Sequence, residues 1–140
     1  MADGASRAQL KEVGLERLDD GNCLVRVEMV HKLSAALHQK YIGKAKGEFS
    51  PASVMRCAAE ATLQALERAF HTKEGDLTFV DIKDVESFDK PAVIVAVNAR
   101  HEGKTWRLVG FCEVVKDVKT TAAMAVCNAL NRFLTMTLKG

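Results

Sequence analysis

The stretch AAEATLQALERAF, residues 58–70, returns as AAMAVCNALNRFL, residues 122–134. Laid together without a gap, the two match at four alanines, Leu66/Leu130 and Arg68/Arg132. In the first copy Met55, Ala59, Leu63, Leu66 and Phe70 recur at helical spacing and form a core stripe. Arg56, Glu60, Gln64 and Glu67 form a polar stripe that belongs in water. Ser50-Pro51 opens this helix well: the hydroxyl caps free N–H groups, and proline at the first helical position gives up no needed donor. Matched alanines imply matched close packing of a helix on a sheet, at Ala61 and Ala125 in particular.

Working outward, YIGKAKG at residues 41–47 answers RLVGFCE at 107–113, and VRVEM at Val25 answers VIVAV at Val93. Residues 23–31 alternate, with Val25, Val27 and Met29 on one face and Arg26 and Glu28 on the other, as in a strand with one wet face. Residues 93–97 are apolar without a break, which predicts a strand covered on both faces. Residues 77–88 are rich in β-branched and aromatic residues and read as a strand, and by the repeat so do residues 10–18. Turns are expected at 19–22, 89–91 and 102–104, third strands at 40–48 and 105–115, and a second helix from Val118 to about residue 138, capped by Asp117. The pattern is βββα written twice, about residues 9–71 and 76–138, in one domain. The fold class is therefore α+β, a tandem βββα repeat of antiparallel strands with two helices packed on them. Residues 1–8 are small and polar and are expected to fray.

Composition narrows the function classes. At 140 residues, 48% hydrophobic and 27% charged, the chain can bury an ordinary globular core. A net charge of +2 argues against nucleic acid as the partner, and the one basic cluster (Lys40, Lys44, Lys46, Arg56) has little aromatic interleaving. No apolar run is long enough to cross a bilayer. The first residues lack the apolar segment of a signal peptide, so the expected location is the cytoplasm.

The order of elements, the run FVDIKDVESF followed by PAVIVAV, and the Ala129-Leu130-Asn131 ending resemble the C-terminal regulatory domain of 2-isopropylmalate synthase. The resemblance covers about residues 10–138. It implies two βββα units that dimerise and bind leucine as a feedback inhibitor. It takes in none of the catalytic barrel, so it implies no reaction, and the Gly-x-Gly turn usual before the last helix is replaced here by Gly110-Phe111-Cys112.

No catalytic constellation stands out. Cys23, Cys57, Cys112 and Cys127 lack CxxC spacing and read as reduced core thiols. His31, His38, His71 and His101 lack metal-ligand spacing. Asp81, Asp84, Glu86 and Asp89 read as a solvated strand face, although Asp81 has apolar neighbours. No cofactor or metal is expected. The expected function is a noncatalytic, stand-alone binding or regulatory module, with self-associating scaffold as the alternative.

A small carboxylate-bearing metabolite is expected near Gly43, Gly47, Ser50 and Ser53, where a helix start offers backbone N–H groups. A homodimer is expected through the second helix. There Met124, Asn128 and Asn131 replace the charged or longer polar residues Glu60, Gln64 and Glu67 of the first copy. Such loss of charge suits a surface buried against another chain.

Overall fold

The computed structural model describes residues 8–32 and 34–137. Its elements run β1 (Ala8–Arg17), β2 (Asn22–Lys32), β3 (His38–Glu48), α1 (Pro51–Ala69), β4 (Leu77–Ser87), β5 (Lys90–His101), β6 (Lys104–Glu113) and α2 (Val118–Thr137). Each set of three strands forms an antiparallel meander, β1-β2-β3 and β4-β5-β6. The fold is an α+β tandem βββα arrangement. No helix among the described residues is long and apolar enough to cross a membrane.

Register shows the repeat residue by residue. β1 and β4 each carry an irregularity, between Leu10 and Glu12 and between Phe79 and Asp81. Val27 pairs with Val13 and Gly43; Val95 pairs with Ile82 and Gly110. Equivalent positions are thus 69 residues apart in the first strands, 68 in the second and 67 in the third. In the helices the spacing is 64, as the alanines of the sequence had indicated. Each connection of the second unit is shorter than its counterpart.

Gly43 and Gly110 explain the alanines. A Cβ at Gly43 would lie 1.9 Å from the Ala61 carbonyl oxygen, and one at Gly110 would lie 1.9 Å from that of Ala125. The helix backbone rests directly on the third strand, which only glycine below and alanine above permit. Ala61 and Ala125 are fully buried. One core cluster joins the two units: Val25, Val27 and Met29 with Leu63 and Leu66, and Val93, Val95 and Val97 with Val126, Leu130 and Leu134. The helices also touch each other, and each reaches the first strand of the opposite unit.

Several expectations need correction. Ala8 does not fray: it opens β1 and is fully buried, whereas residues 1–7 lie outside the described residues. The β4–β5 turn is not at residues 89–91. It is a two-residue hairpin at Phe88-Asp89, both at positive φ (53° and 65°), the primed geometry whose twist matches the flanking strands. β5 is not covered on both faces: Val93, Val95 and Val97 are buried toward α2, but Ile94 and Ala96 on the other face are only half-buried. An unbroken apolar run suggests two covered faces, yet a three-stranded sheet with one helix has a partner on one side only.

Candidate functional site

The two units meet along the polar stripes of their helices. Gln64 accepts the Lys44 N–H through Oε1 at 2.8 Å, and Asn128 donates through Nδ2 to the Phe111 carbonyl at 2.8 Å. Gln64 and Asn128 are repeat equivalents, and so are Lys44 and Phe111. One turn further, Glu67 Oε2 accepts the N–H of Leu77 at 2.9 Å and of Gly75 at 3.0 Å. Its equivalent Asn131 donates through Nδ2 to the carbonyl of Ala8 at 3.0 Å. Leu77 and Ala8 are themselves equivalent, each the first residue of its unit's opening strand.

The first pair thus ties each helix to its own third strand, and the second ties it to the other unit. The stripe expected in water is half-buried at Gln64 and Glu67 and holds backbone instead. Burial pushes the Glu67 carboxyl above its usual value, against the opposing pull of the two N–H groups.

These bonds give the missing charge on α2 a reason within the chain. Asn128 and Asn131 each use their amide N–H on a backbone carbonyl. Of the residues expected at a dimer contact, Met124 (39% exposed) and Asn128 stay at the surface, and Asn131 is half-buried.

Of the residues expected to form a ligand site, Gly47, Ser50 and Ser53 are neighbours at the start of α1, and Gly43 lies apart from them. Gly43 lies beneath α1, with no room for a Cβ. Gly47 faces Cys57 Sγ and Ser53 Oγ, where a Cβ would come within 2.7 and 3.2 Å. Ser50 caps α1, its hydroxyl accepting the Ser53 N–H at 3.4 Å. Only Ser50 borders an opening.

That opening is a cavity of about 490 Å³ at the junction of the units. Three repeat-equivalent pairs line it: Leu15 with Asp84, Val54 with Val118, and Met55 with Lys119. Phe49, Ser50, Pro51 and Ala52 complete it on the α1 side. It lies where the starts of both helices converge, and neither first turn contains an acidic residue. The positive end of α1 therefore biases it toward an anionic group, while the end of α2 is already met by the Asp117 carboxylate.

The chemistry of the walls is lopsided. The first unit supplies Leu15 and Met55, and the second supplies a carboxylate and an ammonium at the same two positions. The Lys119 ammonium sits 3.4 Å from Asp117 Oδ1. Asp117 in turn accepts the Thr120 N–H at 2.8 Å and so caps α2 as expected. Burial raises the Asp117 carboxyl, but the bonds from Thr120 and the nearby Lys119 outweigh it, and the net shift is downward.

A second cleft, about 800 Å³, runs between α1 and β4 past Glu60, Gln64, Glu67, His71 and Thr72. Glu67, its most buried carboxylate, is taken up by the unit–unit joint. Among the described residues no three of His, Cys, Asp and Glu come together in a way that could hold a metal ion. The thiols are free. Burial pushes Cys127 up to about 12, so it stays protonated and unreactive.

The class these observations define is a tandem βββα domain with one shared core and a small cavity at its internal junction. Comparison of the chain with protein-family models and with curated proteins gives no match.

Proposed function

We propose that the protein is a noncatalytic binding module that self-associates and takes a small metabolite with a carboxylate and an apolar body. The observation that carries this reading is the junction cavity. Its apolar wall of Leu15, Phe49, Val54 and Met55 suits a short aliphatic chain, and Lys119 with the N-terminus of α1 suits a carboxylate. Asp84, on the far wall, adds a partner for an ammonium or hydroxyl. A ligand there touches both units at once, so it stabilises their docking and can act as a regulator of anything that depends on it. The resemblance to the regulatory domain of 2-isopropylmalate synthase supports the same class and makes branched amino acids and 2-oxo acids the first compounds to try.

Thermal shift across that panel is the test. A ligand at a hundredfold excess over Kd should add about 2.7 kcal/mol of stability. The increment should vanish in Lys119→Ala while the unliganded variant melts near the wild type. No shift with any compound, or a shift that Lys119→Ala leaves intact, refutes the site. A ligand-free scaffold is the second reading, favoured by the apolar side chains left open on the second sheet.

A further inference from the structure

Resting on the self-association just proposed, we infer that a second copy of this chain docks on the outer face of β4-β5-β6, about a two-fold axis perpendicular to the strands. Because Gly110 faces α2, its neighbours Val109 and Phe111 face away, and they are 59% and 42% exposed. Pairing sets the outer residues in rows. One row is Asp81, Ala96, Val109; the next is Lys83, Ile94, Phe111.

A two-fold axis between those rows exchanges them. Asp81 then meets Lys83 of the second copy, Ala96 meets Ile94, and Val109 meets Phe111. Opposite charges pair, and small residues meet large ones. In the rows beyond, Arg107 and Glu113 lie on β6 equally far from the axis, so they exchange and pair as well. The result is an apolar centre with ion pairs at its rim, the usual anatomy of an interface.

The first sheet supplies the control. Its positions equivalent to Ile94, Ala96 and Phe111 are Arg26, Glu28 and Lys44, and Glu28 is ion-paired to Arg26 and Lys40 at 3.9 and 3.7 Å. There the same operation would set Lys40 against Lys46 and Ile42 against Lys44. The same fold thus presents one outer face of ion-paired charges, with Glu28 buried among them at 7% exposure, and one self-complementary one. The docking face is about three strands wide and four rows long, roughly 15 by 25 Å. That is small for a stable dimer, so dilution should dissociate it.

Sedimentation velocity over a concentration series tests this on the full chain. The wild type should shift from monomer to dimer as concentration rises. Asp81→Lys and Lys83→Asp should each weaken the dimer tenfold or more by opposing like charges. The double swap Asp81→Lys with Lys83→Asp should restore it, which a merely structural effect on either residue would not do. A dimer that survives both single variants, or that the swap fails to restore, overturns the face. If Met124→Glu dissociates that surviving dimer, self-association stands and its contact lies on α2. A wild type that stays monomeric throughout the series overturns the self-association as well.

Discussion

Adding one methyl group at Gly43 should undo the closest contact in the first unit. The new Cβ would lie 1.9 Å from the Ala61 oxygen, 2.9 Å from its carbonyl carbon and 2.8 Å from the Ala65 nitrogen. All three are backbone atoms of a helix and cannot rotate aside. To reach an ordinary contact of 3.4 Å, α1 must move off the sheet by about 1.5 Å. That movement would also pull Leu63 and Leu66 from Val27. Overpacking costs about 1–3 kcal/mol in general, and an obstacle made of backbone puts Gly43→Ala at the upper end, about 3 kcal/mol. For a domain of this size the melting temperature should fall by roughly 10 °C.

Gly110→Ala meets the Ala125 oxygen at the same 1.9 Å and should cost about as much. Gly14→Ala is the internal control, because its nearest neighbour, the Arg26 oxygen, would be 3.9 Å away. Alanine fits there and restrains the unfolded chain, so this variant should melt at or slightly above the wild type. Calorimetry on the three variants decides the matter. If Gly43→Ala and Gly110→Ala melt like Gly14→Ala, the glycines are not what lets the helices approach.

Glu67 gives a pH signature. Its folded pKa is raised above the reference 4.5. Its stabilising contribution is therefore complete below that value and declines as pH rises through the higher folded value. Glu67→Gln keeps an acceptor for Leu77 and Gly75 but carries no charge, so its melting temperature relative to the wild type should climb as pH rises above 4.5. A difference that is flat with pH would mean that Glu67 stays ionised in the fold without penalty. Thiol labelling gives another check: in the native protein Cys112, only partly buried, should react before the other three, and Cys127 should react only on unfolding. Early modification of Cys127 would show that α2 opens far more readily than its packing allows.

The helices were legible because both pack by the same rule. Small residues recur wherever backbone meets backbone, and a spacing of 64 holds without a gap from Ala58/Ala122 to Arg68/Arg132. The strands were legible in kind but not in alignment. RLVGFCE laid on YIGKAKG sets Gly43 against Val109, one residue from its true equivalent Gly110, because each loop of the second unit is shorter. The joint was not legible at all. Glu67 looks like one more charge on a wet stripe until the start of β4 is known to lie beside it. The cavity escaped for a similar reason: Leu15 and Asp84 sit 69 residues apart, and only the docking of the units makes them neighbours.

The equivalences sort the chain by physical role. Positions that hold a unit together have kept their chemistry, as at Gly43/Gly110, Ala61/Ala125 and Val27/Val95. Positions that join the units keep their geometry and change polarity: Glu67 accepts from Leu77 where Asn131 donates to Ala8. One exchange uses a backbone N–H and the other a backbone carbonyl, so an ionised carboxylate, which only accepts, could not replace the amide at Asn131. Positions that line the cavity or the outer faces diverge most: Leu15 against Asp84 and Met55 against Lys119 in the cavity, where only Val54 and Val118 match, and Arg26 against Ile94 and Lys44 against Phe111 on the sheets. Two identical units would have given a symmetric cavity, with either two apolar walls or two charged ones, and two identical outer faces. The departures instead leave one amphipathic cavity and one apolar outer face per chain. An amphipathic cavity can orient a ligand that has a charged end and an apolar end. In the dimer proposed above, one such face per chain closes the assembly at a pair, whereas two would build an open chain of molecules.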